Sequence, residues 1–402
     1  MLIGVCFCLG LLIAVIVDWL NFYGITGLEI KKYSRAVIFA LILIPLADPL
    51  TLKKGVRFSL STPFMMMGFL FLSYALYKRD LAGELYYITR IIFWLAGGFY
   101  VHRMLVNGYF PKKIFSLTIS TIVVFYFVMV LFTMLNASVR FSQNIAIYTL
   151  LWCVPLLMIR KPSKVKTVLI IMASLSIFLA FKRGAMLALI LGFLSYIFVW
   201  SLQNRSVWNV FKSIFIIILL ISTVAMSVYF INIVRPEFFA KRTADLTNKE
   251  SFGSGRGTFY NVIKDNYINA FNKSPKYFFF GFGSRSVQKL LAEYYEAPEG
   301  FGAYAHSDWL QIMHDYGLTG ILILLFIHIS IIRLLIFNFK AKSKELPAMV
   351  MNYTIFLLLN IYSGFFFSPN AIYFSIFMAC ASGASINLSG NKNSNNHEIS
   401  SI

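Results

Sequence analysis

The fold follows from one stretch, "TVLIIMASLSIFLAFKRGAMLALILGFLSYIFVW" (Thr167 to Trp200), in which two apolar runs flank the break Lys182–Gly184. A helix needs about 20 residues to cross a bilayer, and this stretch offers only 34 residues for two crossings. The break therefore lies at a membrane surface or slightly below it, where a charge must snorkel or find a partner. Snorkelling explains Lys182, whereas a tight turn at Gly184 holds Arg183 close to the backbone. The stretch predicts two adjacent membrane helices joined by a positively charged turn.

Similar apolar runs recur along all 402 residues of the chain. Hydrophobic residues make up 59% of the sequence and charged residues 13%, whereas soluble proteins have about 25% charged residues. Because the runs are continuously apolar, they indicate membrane helices and not the alternating strands of a membrane barrel. We therefore predict an all-α polytopic membrane protein. The four cysteines lie within apolar runs, where their spacing gives neither a disulfide framework nor a zinc site.

About twelve transmembrane helices are predicted, near residues 3–19, 36–50, 60–77, 87–106, 114–134, 145–159, 167–181, 185–201, 213–234, 317–337, 347–366 and 371–386. The first run is interpreted as a retained helix, because it has no basic n-region and no small-residue cleavage site. Lysine and arginine concentrate in alternate short loops. This bias predicts that both termini lie in the cytoplasm.

One long polar segment sets the predicted domain organisation. Residues 1–234 hold the first nine transmembrane helices, 235–316 form one large outer loop, 317–386 hold the last three helices, and 387–402 form a disordered cytoplasmic tail. A loop of 82 residues in a compact protein is usually functional. The sequence shows no convincing internal repeat, which argues against a secondary transporter built from two related halves.

Within the outer loop, "SGRGTFYNVIKDNYINAF" predicts an amphipathic helix. Its apolar residues recur every four positions, as Phe259, Ile263 and Tyr267. An N-cap at Ser254 puts Arg256 in the first turn, where a cation opposes the helix macrodipole. A phosphate bound there by the guanidinium and the free backbone N–H groups would remove that conflict. The plainer interpretation is an exposed arginine on a loop.

The stretch "AYAHSDWLQIMHDYGLTG" is polar and directly precedes a long apolar run. Asp308 and Gln311 fit a capping-box variant, which begins a helix there and leaves His306 just ahead of it. Gly317 is the predicted stop before the next transmembrane helix. A histidine titrates near neutral pH, so His306 is a candidate general base. An ordinary histidine at the membrane interface is the plainer interpretation.

Neighbouring residues have weaker cases. His314 lies on the predicted helix itself, away from its entrance. Tyr304 and Trp309 are candidates for stacking on sugar rings, although aromatic belts at membrane interfaces are the commoner explanation. The segment "FFFGFGS", with Gly281 and Gly283, is either a re-entrant turn at the membrane surface or a glycine-punctuated loop.

Three motifs, in this order, resemble those of the O-antigen polymerase and O-antigen ligase superfamily of bacterial membrane glycosyltransferases. They are an (S)RG turn between two helices, here "KRGAMLAL"; a GR-then-helix segment followed by proline and G-x-G, here "SGRGTFY…SPKYFFFGFGS"; and a histidine-led entry into a late helix, here "AHSDWLQIMHDYGLTG". The resemblance covers about Val168 to Leu325. Lys182 stands where serine is common, and Ser307 stands where asparagine is common, so the resemblance alone does not fix the orientation of His306.

The resemblance implies a GT-C-like architecture in the bacterial inner membrane, with the active site on the periplasmic face. It implies a metal-independent, inverting glycan transfer from undecaprenyl pyrophosphate, without a cofactor. Arg183 and Arg256 would bind the pyrophosphate, Lys182 would add positive charge, and His306 would accept the proton of the acceptor hydroxyl. The residues agree with this expectation, because arginines that bind bidentately stabilise a leaving diphosphate as a metal does elsewhere.

The acceptor separates two functions within this resemblance. A polymerase adds to another lipid-linked repeat unit, and a ligase adds to the lipid A core oligosaccharide. The acidic residue after the His-Ser pair and the D-Y-G turn look more like the polymerases. A flippase or permease is the alternative from another class, but it should have ionisable residues at the membrane midplane, whereas the polar residues here concentrate in the outer loop.

The predicted partners follow from the polymerase interpretation. They are the undecaprenyl-pyrophosphate-linked oligosaccharide, as donor and acceptor, and the lipid bilayer. A chain-length regulator is a further candidate, and no nucleic acid is expected.

Overall fold

The computed structural model describes residues 2–22, 60–78, 81–106, 110–135, 144–204, 207–247, 256–295, 305–364 and 371–390. Every regular element within these ranges is an α-helix. The helices are α1 (Leu2–Phe22), α2 (Ser61–Lys78), α3 (Leu81–Val106), α4 (Lys112–Leu135), α5 (Asn144–Met158), α6 (Lys164–Leu179), α7 (Arg183–Gln203), α8 (Val207–Val234), α9 (Pro236–Thr247), α10 (Arg256–Lys273), α11 (Pro275–Phe280), α12 (Ser286–Tyr294), α13 (Asp308–Lys340), α14 (Leu346–Tyr362) and α15 (Ala371–Gly390).

The all-α class predicted from the apolar runs is confirmed. Eleven of the twelve predicted transmembrane helices overlap helices of the structure, and the remaining one, residues 36–50, lies outside the described residues. Within the described part of the chain, α4, α7 and α13 are each long and apolar enough to cross a membrane, and shorter apolar helices accompany them. These helices support an integral membrane protein. The count of twelve crossings and their orientation stay predictions.

The turn between α6 and α7 differs in detail from the prediction. Because α7 begins at Arg183, Gly184 lies inside the helix and does not form the turn. The left-handed backbone falls instead on Phe181, with φ 47°. Gly184 has a different role, since a Cβ there would lie 2.8 Å from Cε2 of Tyr362. Its missing side chain therefore lets the end of α14 pack directly against the start of α7.

Close helix packing is found in two pairs of helices. α14 packs along α7, and α15 packs along α3. Glycines face the partner helix in both pairs: a Cβ at Gly192 would lie 3.2 Å from Ile355 Cγ1, and a Cβ at Gly97 would lie 2.8 Å from Ile372 Cγ1. Small residues at helix interfaces allow the backbones to approach closely, which is how membrane helices gain contact area. This packing fixes the position of the end of α14, which adjoins the candidate site.

The predicted amphipathic helix of the outer loop is present as α10. Its apolar stripe faces inward, and Ile263 forms a small core with Val287, Leu291 and Ala305. Tyr267 lies on the same stripe, and its hydroxyl donates to the backbone carbonyl of α11 at 2.7 Å. The stripe therefore joins α10 to α11, to α12 and to the segment that leads into α13.

A backbone contact joins the end of α11 to α13. Gly281 and Gly317 have φ of 65° and 62° with ψ of −166° and −154°, a region that is open almost only to glycine. The N–H groups of Phe282 and Gly283 donate to carbonyls in the turn of α13 before Gly317, at 3.0 and 2.8 Å. Gly317 interrupts the helix where the sequence predicted a stop. The glycine-punctuated segment therefore lies directly on α13.

Gly317→Ala is expected to destabilise the packing of residues 278–283 against α13. A Cβ at position 317 would lie 2.6 Å from the backbone nitrogen of Gly281 and 2.6 Å from the carbonyl oxygen of Phe278, and neither atom belongs to a flexible side chain. The strained backbone alone costs about 1–3 kcal/mol in a residue other than glycine. Thermal unfolding in detergent, with limited proteolysis within residues 256–295, measures the change.

Gly257→Ala is the matched control for this substitution. Gly257 lies in the first turn of α10, and among the described residues no heavy atom outside its own stretch of helix lies within 4 Å of the Cβ that alanine would add there. Alanine at a helical position is about 1 kcal/mol more favourable than glycine. The control should therefore unfold at the same temperature as the unmodified protein or higher, and an equal loss in both variants would contradict the packing argument.

Candidate active site

His306 lies immediately before α13, with a left-handed backbone of φ 53°. Hydrogen bonds hold both the carbonyl group of His306 and the N–H of the residue before it. Tyr260 Oη donates to the carbonyl oxygen of His306 at 3.2 Å, and the N–H of Ala305 donates to Gln311 Oε1 at 3.2 Å. A left-handed conformation is costly for a residue with a Cβ and persists only where the surroundings fix it. These two bonds supply part of that constraint.

The N-cap of α13 is Ser307, one residue before the predicted Asp308. Its Oγ accepts the N–H of Leu310 at 3.5 Å and donates to the carbonyl oxygen of Asn360 at 3.4 Å. The predicted capping box, with Asp308 as its N-cap, is wrong. The Ser307 hydroxyl reaches the N–H three residues ahead, so Asp308 is the first helical residue. Asp308 is buried, and its Oδ1 lies 3.7 Å from where a Cβ would stand at Gly364. The start of α13 therefore contacts the end of α14.

The end of α14 also contacts the start of α7. Tyr362 Oη donates to the carbonyl oxygen of Gly184 at 2.6 Å, and Gly184 directly follows Arg183. The side chains of Arg183 and Lys182 are both partly buried. Lys182 is the N-cap of α7 and makes no side-chain capping bond. The two cationic residues and the start of α13 therefore flank the same segment, residues 360–364.

Arg256 is the first residue of α10, as the sequence predicted, although the expected N-cap Ser254 lies outside the described residues. The structure describes the backbone of Arg256 and not its side chain. Tyr260, which donates to the His306 carbonyl, is one turn further along, or about 6 Å along the helix axis. The segments that carry Arg256 and His306 therefore meet at the start of α13, and residues 360–364 link this start to the segment that carries Arg183.

The structure describes only one of the two residues predicted to stack on sugar rings. Tyr304 lies outside the described residues. Trp309 is partly buried, and its ring stacks on His328 with a centroid separation of 5.3 Å and an interplanar angle of 16°. Contact of either residue with a sugar stays a prediction.

A buried polar cluster lies beside this site, and sequence reasoning missed most of it. Asp315 accepts hydrogen bonds from Ser286 Oγ at 2.7 Å, from the N–H of Val287 at 3.2 Å and from Gln311 Nε2 at 2.7 Å. Ser286 Oγ also lies 2.8 Å from Nδ1 of His314. The four-residue spacing of Gln311 and Asp315 puts them on one helix face, which the sequence does reveal. Nothing in the sequence pairs that face with the start of α12.

His314 completes the cluster on its other side. Its Nε2 lies 3.0 Å from Asn266 Oδ1 on α10, and its ring stacks on Phe282 with centroids 4.5 Å apart. Burial lowers the pKa of His314 to about 4 and raises the pKa of Asp315 to about 6, against the hydrogen bonds from Ser286 and Gln311. Both residues precede the predicted transmembrane segment 317–337. A neutral His314 at physiological pH fits a role in packing and hydrogen bonding.

The described residues contain no group of three or more His, Cys, Asp or Glu side chains arranged to hold a metal ion. The four cysteines are free, and three of them are buried.

Comparison with known proteins finds a family match over the part of the chain that carries the three motifs. Residues 167–325 match the family model described as O-antigen ligase. The match begins in α6 and ends in α13, so it contains all three motifs found in the sequence. The resemblance to the O-antigen polymerase and ligase superfamily is thereby confirmed. A comparison with curated proteins gave no match.

Proposed function

Because residues 167–325 are similar to the O-antigen ligase family, we propose that this chain polymerises O-antigen or a related surface polysaccharide. The donor and the acceptor are oligosaccharide repeat units linked to undecaprenyl pyrophosphate, and the reaction takes place at the periplasmic face of the bacterial inner membrane. The observation that supports the proposal is that α10 contacts His306 directly, while residues 360–364 contact both the start of α13 and the start of α7.

In the proposed reaction, the acceptor hydroxyl oxygen attacks the anomeric carbon of the donor. The bond from that carbon to the pyrophosphate oxygen breaks as the glycosidic bond forms, so the configuration inverts. His306 accepts the proton of the hydroxyl, because a hydroxyl of high pKa needs a base within hydrogen-bond reach. Arg183 and Arg256 bind the departing pyrophosphate, and Lys182 adds to the positive potential. Tyr304 and Trp309 are the proposed sugar contacts.

Charge stabilisation is the largest demand of this reaction, since the leaving group carries at least two negative charges. Guanidinium groups meet that demand with paired hydrogen bonds to phosphate oxygens. The resemblance implies that no metal takes part. Both termini lie in the cytoplasm in this proposal, and a chain-length regulator is a candidate partner.

The second candidate function is that of a ligase, which is favoured by the description of the matching family. A ligase would transfer the glycan to the lipid A core oligosaccharide by the same chemistry. A flippase or permease would move the lipid-linked glycan without changing its size. The three functions therefore differ in the product that they form.

The test is an in-vitro assay with the purified protein and a defined lipid-linked oligosaccharide, run with and without core acceptor. Longer lipid-linked chains without the core acceptor would support the polymerase. Product that forms only with the core acceptor would indicate the ligase, and an unchanged size distribution in both arms would exclude both transferases. Activity is expected to persist in EDTA, and a loss that magnesium or manganese restores would overturn the metal-free mechanism.

A further inference from the structure

We propose that Gln311 and Asp315 are positioning residues that hold the backbone before His306 in its reactive conformation. The inference rests on the proposed function in one respect, that His306 is the base. The hydrogen bonds that restrain this backbone belong to the buried cluster around Asp315. Gln311 is 1% exposed and Asp315 is fully buried, so water does not compete for their bonds.

The side-chain amide of Gln311 has one orientation that satisfies its neighbours. Its Oε1 accepts the N–H of Ala305 at 3.2 Å, and its Nε2 donates to Asp315 Oδ2 at 2.7 Å and to Gln288 Oε1 at 3.4 Å. A rotated amide would point its NH₂ group at the Ala305 N–H and its oxygen at a carboxylate. Because an ionised carboxylate only accepts hydrogen bonds, Asp315 selects the orientation that leaves an acceptor for Ala305.

Asp315 is itself fixed from a separate helix. The hydroxyl of Ser286 and the N–H of Val287, at the start of α12, both donate to its Oδ1. The chain of contacts therefore runs from α12 through Asp315 and Gln311 to Ala305. His306 follows Ala305 directly, and its own carbonyl is held by Tyr260. The left-handed backbone of His306 is thus restrained by α10 on one side and by α12 and α13 on the other.

The pair allows a reciprocal exchange of its acid and its amide. Gln311→Glu alone sets two carboxylates against each other. Asp315→Asn alone sets two NH₂ groups against each other, or it rotates Gln311 and removes the acceptor for Ala305. In the double variant, the new amide at 315 keeps its oxygen toward Ser286 and Val287 and donates to the new carboxylate at 311, which accepts the Ala305 N–H. A rotated Gln288 amide would then donate to the new carboxylate at 311.

Two measurements test the inference in the full-length protein. Hydrogen–deuterium exchange of the peptide containing Ala305 should become faster in each single variant and return toward the original rate in the double variant. In the transfer assay, kcat should fall by about 10- to 100-fold in each single variant, with little change in KM, and recover in the double variant. A structural role alone would lower the amount of folded protein and leave kcat per folded molecule unchanged.

Gln203→Glu is the matched control, since it makes the same amide-to-acid change where Gln203 donates to the carbonyl oxygen of Ser343. It should alter neither the exchange at Ala305 nor kcat. If the single variants fail to accumulate, the double variant carries the test: its exchange at Ala305 and its kcat per folded molecule should match those of the unmodified protein, and faster exchange or a lower kcat would overturn the inference. Single variants with unchanged exchange, or a double variant no better than either, would overturn the inference. Because exchange is measured without substrate, it tests the inference even if no transfer activity is found.

Discussion

His306→Asn is expected to lower the rate of glycan transfer by about 10²- to 10⁴-fold, the usual contribution of a positioned general acid or base. Asparagine is preferred to alanine because it tolerates the left-handed backbone, φ 53°, that position 306 adopts. The hydrogen bonds that Tyr260 and Gln311 make to the backbone at this position can then persist. The loss of transfer rate therefore measures the contribution of the imidazole. The measurement is the initial rate at which lipid-linked repeats lengthen in detergent, normalised to folded protein.

Lys342→Asn is the matched control for this substitution. Lys342 also has a left-handed backbone, φ 52°, and it lies exposed in the turn that follows the other end of α13. Its exchange for asparagine should leave transfer unchanged. Full activity of the His306 variant would remove the imidazole from the mechanism, and a parallel fall of activity and protein level would identify a structural histidine.

Arg256→Gln is expected to lower kcat by about 10²- to 10³-fold, comparable to the removal of one donor from a site that stabilises developing charge. Arg256→Lys should fall between this variant and the unmodified protein, because lysine keeps the charge but loses the paired donors. The same ranking of kcat is expected at Arg183, with the Gln variant lowest and the Lys variant intermediate. The helix of Arg183 starts beside residues 360–364, which also contact the start of α13. Initial rates and membrane protein levels distinguish lost turnover from lost folding.

Arg285→Lys provides the control from the same segment, residues 256–295. The side chain of Arg285 is exposed at the start of α12, and lysine can occupy its left-handed backbone at the same cost. This variant should transfer at the normal rate. Equal activity of Arg256→Lys and the unmodified protein would show that paired hydrogen bonds to phosphate are not used at that position.

Local features were predicted well because they depend on neighbours in sequence. The apolar runs gave eleven helices that the structure contains, and the stripe of α10 is buried at Ile263 and Tyr267. The stop at Gly317 appears as a positive φ inside α13. Each feature depends on the side-chain period of a helix or on the conformational freedom of glycine.

The two local errors have tertiary causes or depend on fine geometry. Gly184 was interpreted as a turn residue, but its lack of a side chain serves the packing of Tyr362, which is far away in sequence. The N-cap of α13 falls on Ser307, which also bonds to Asn360 of α14. Ser307 and Asp308 are both good capping residues, and the sequence does not show which one meets the neighbouring helix.

The sequence by itself determined the helical class, the order of the three motifs and the identity of the candidate base, since residue types at fixed spacings carry that information. Only the tertiary structure decided that Tyr260 and Gln311 hold the backbone on either side of His306, and that Ser286 binds Asp315. The physical reason is that hydrogen-bond partners are set by where α10 and α12 lie against α13. That arrangement results from the packing of several helices together, and no single stretch of sequence encodes it.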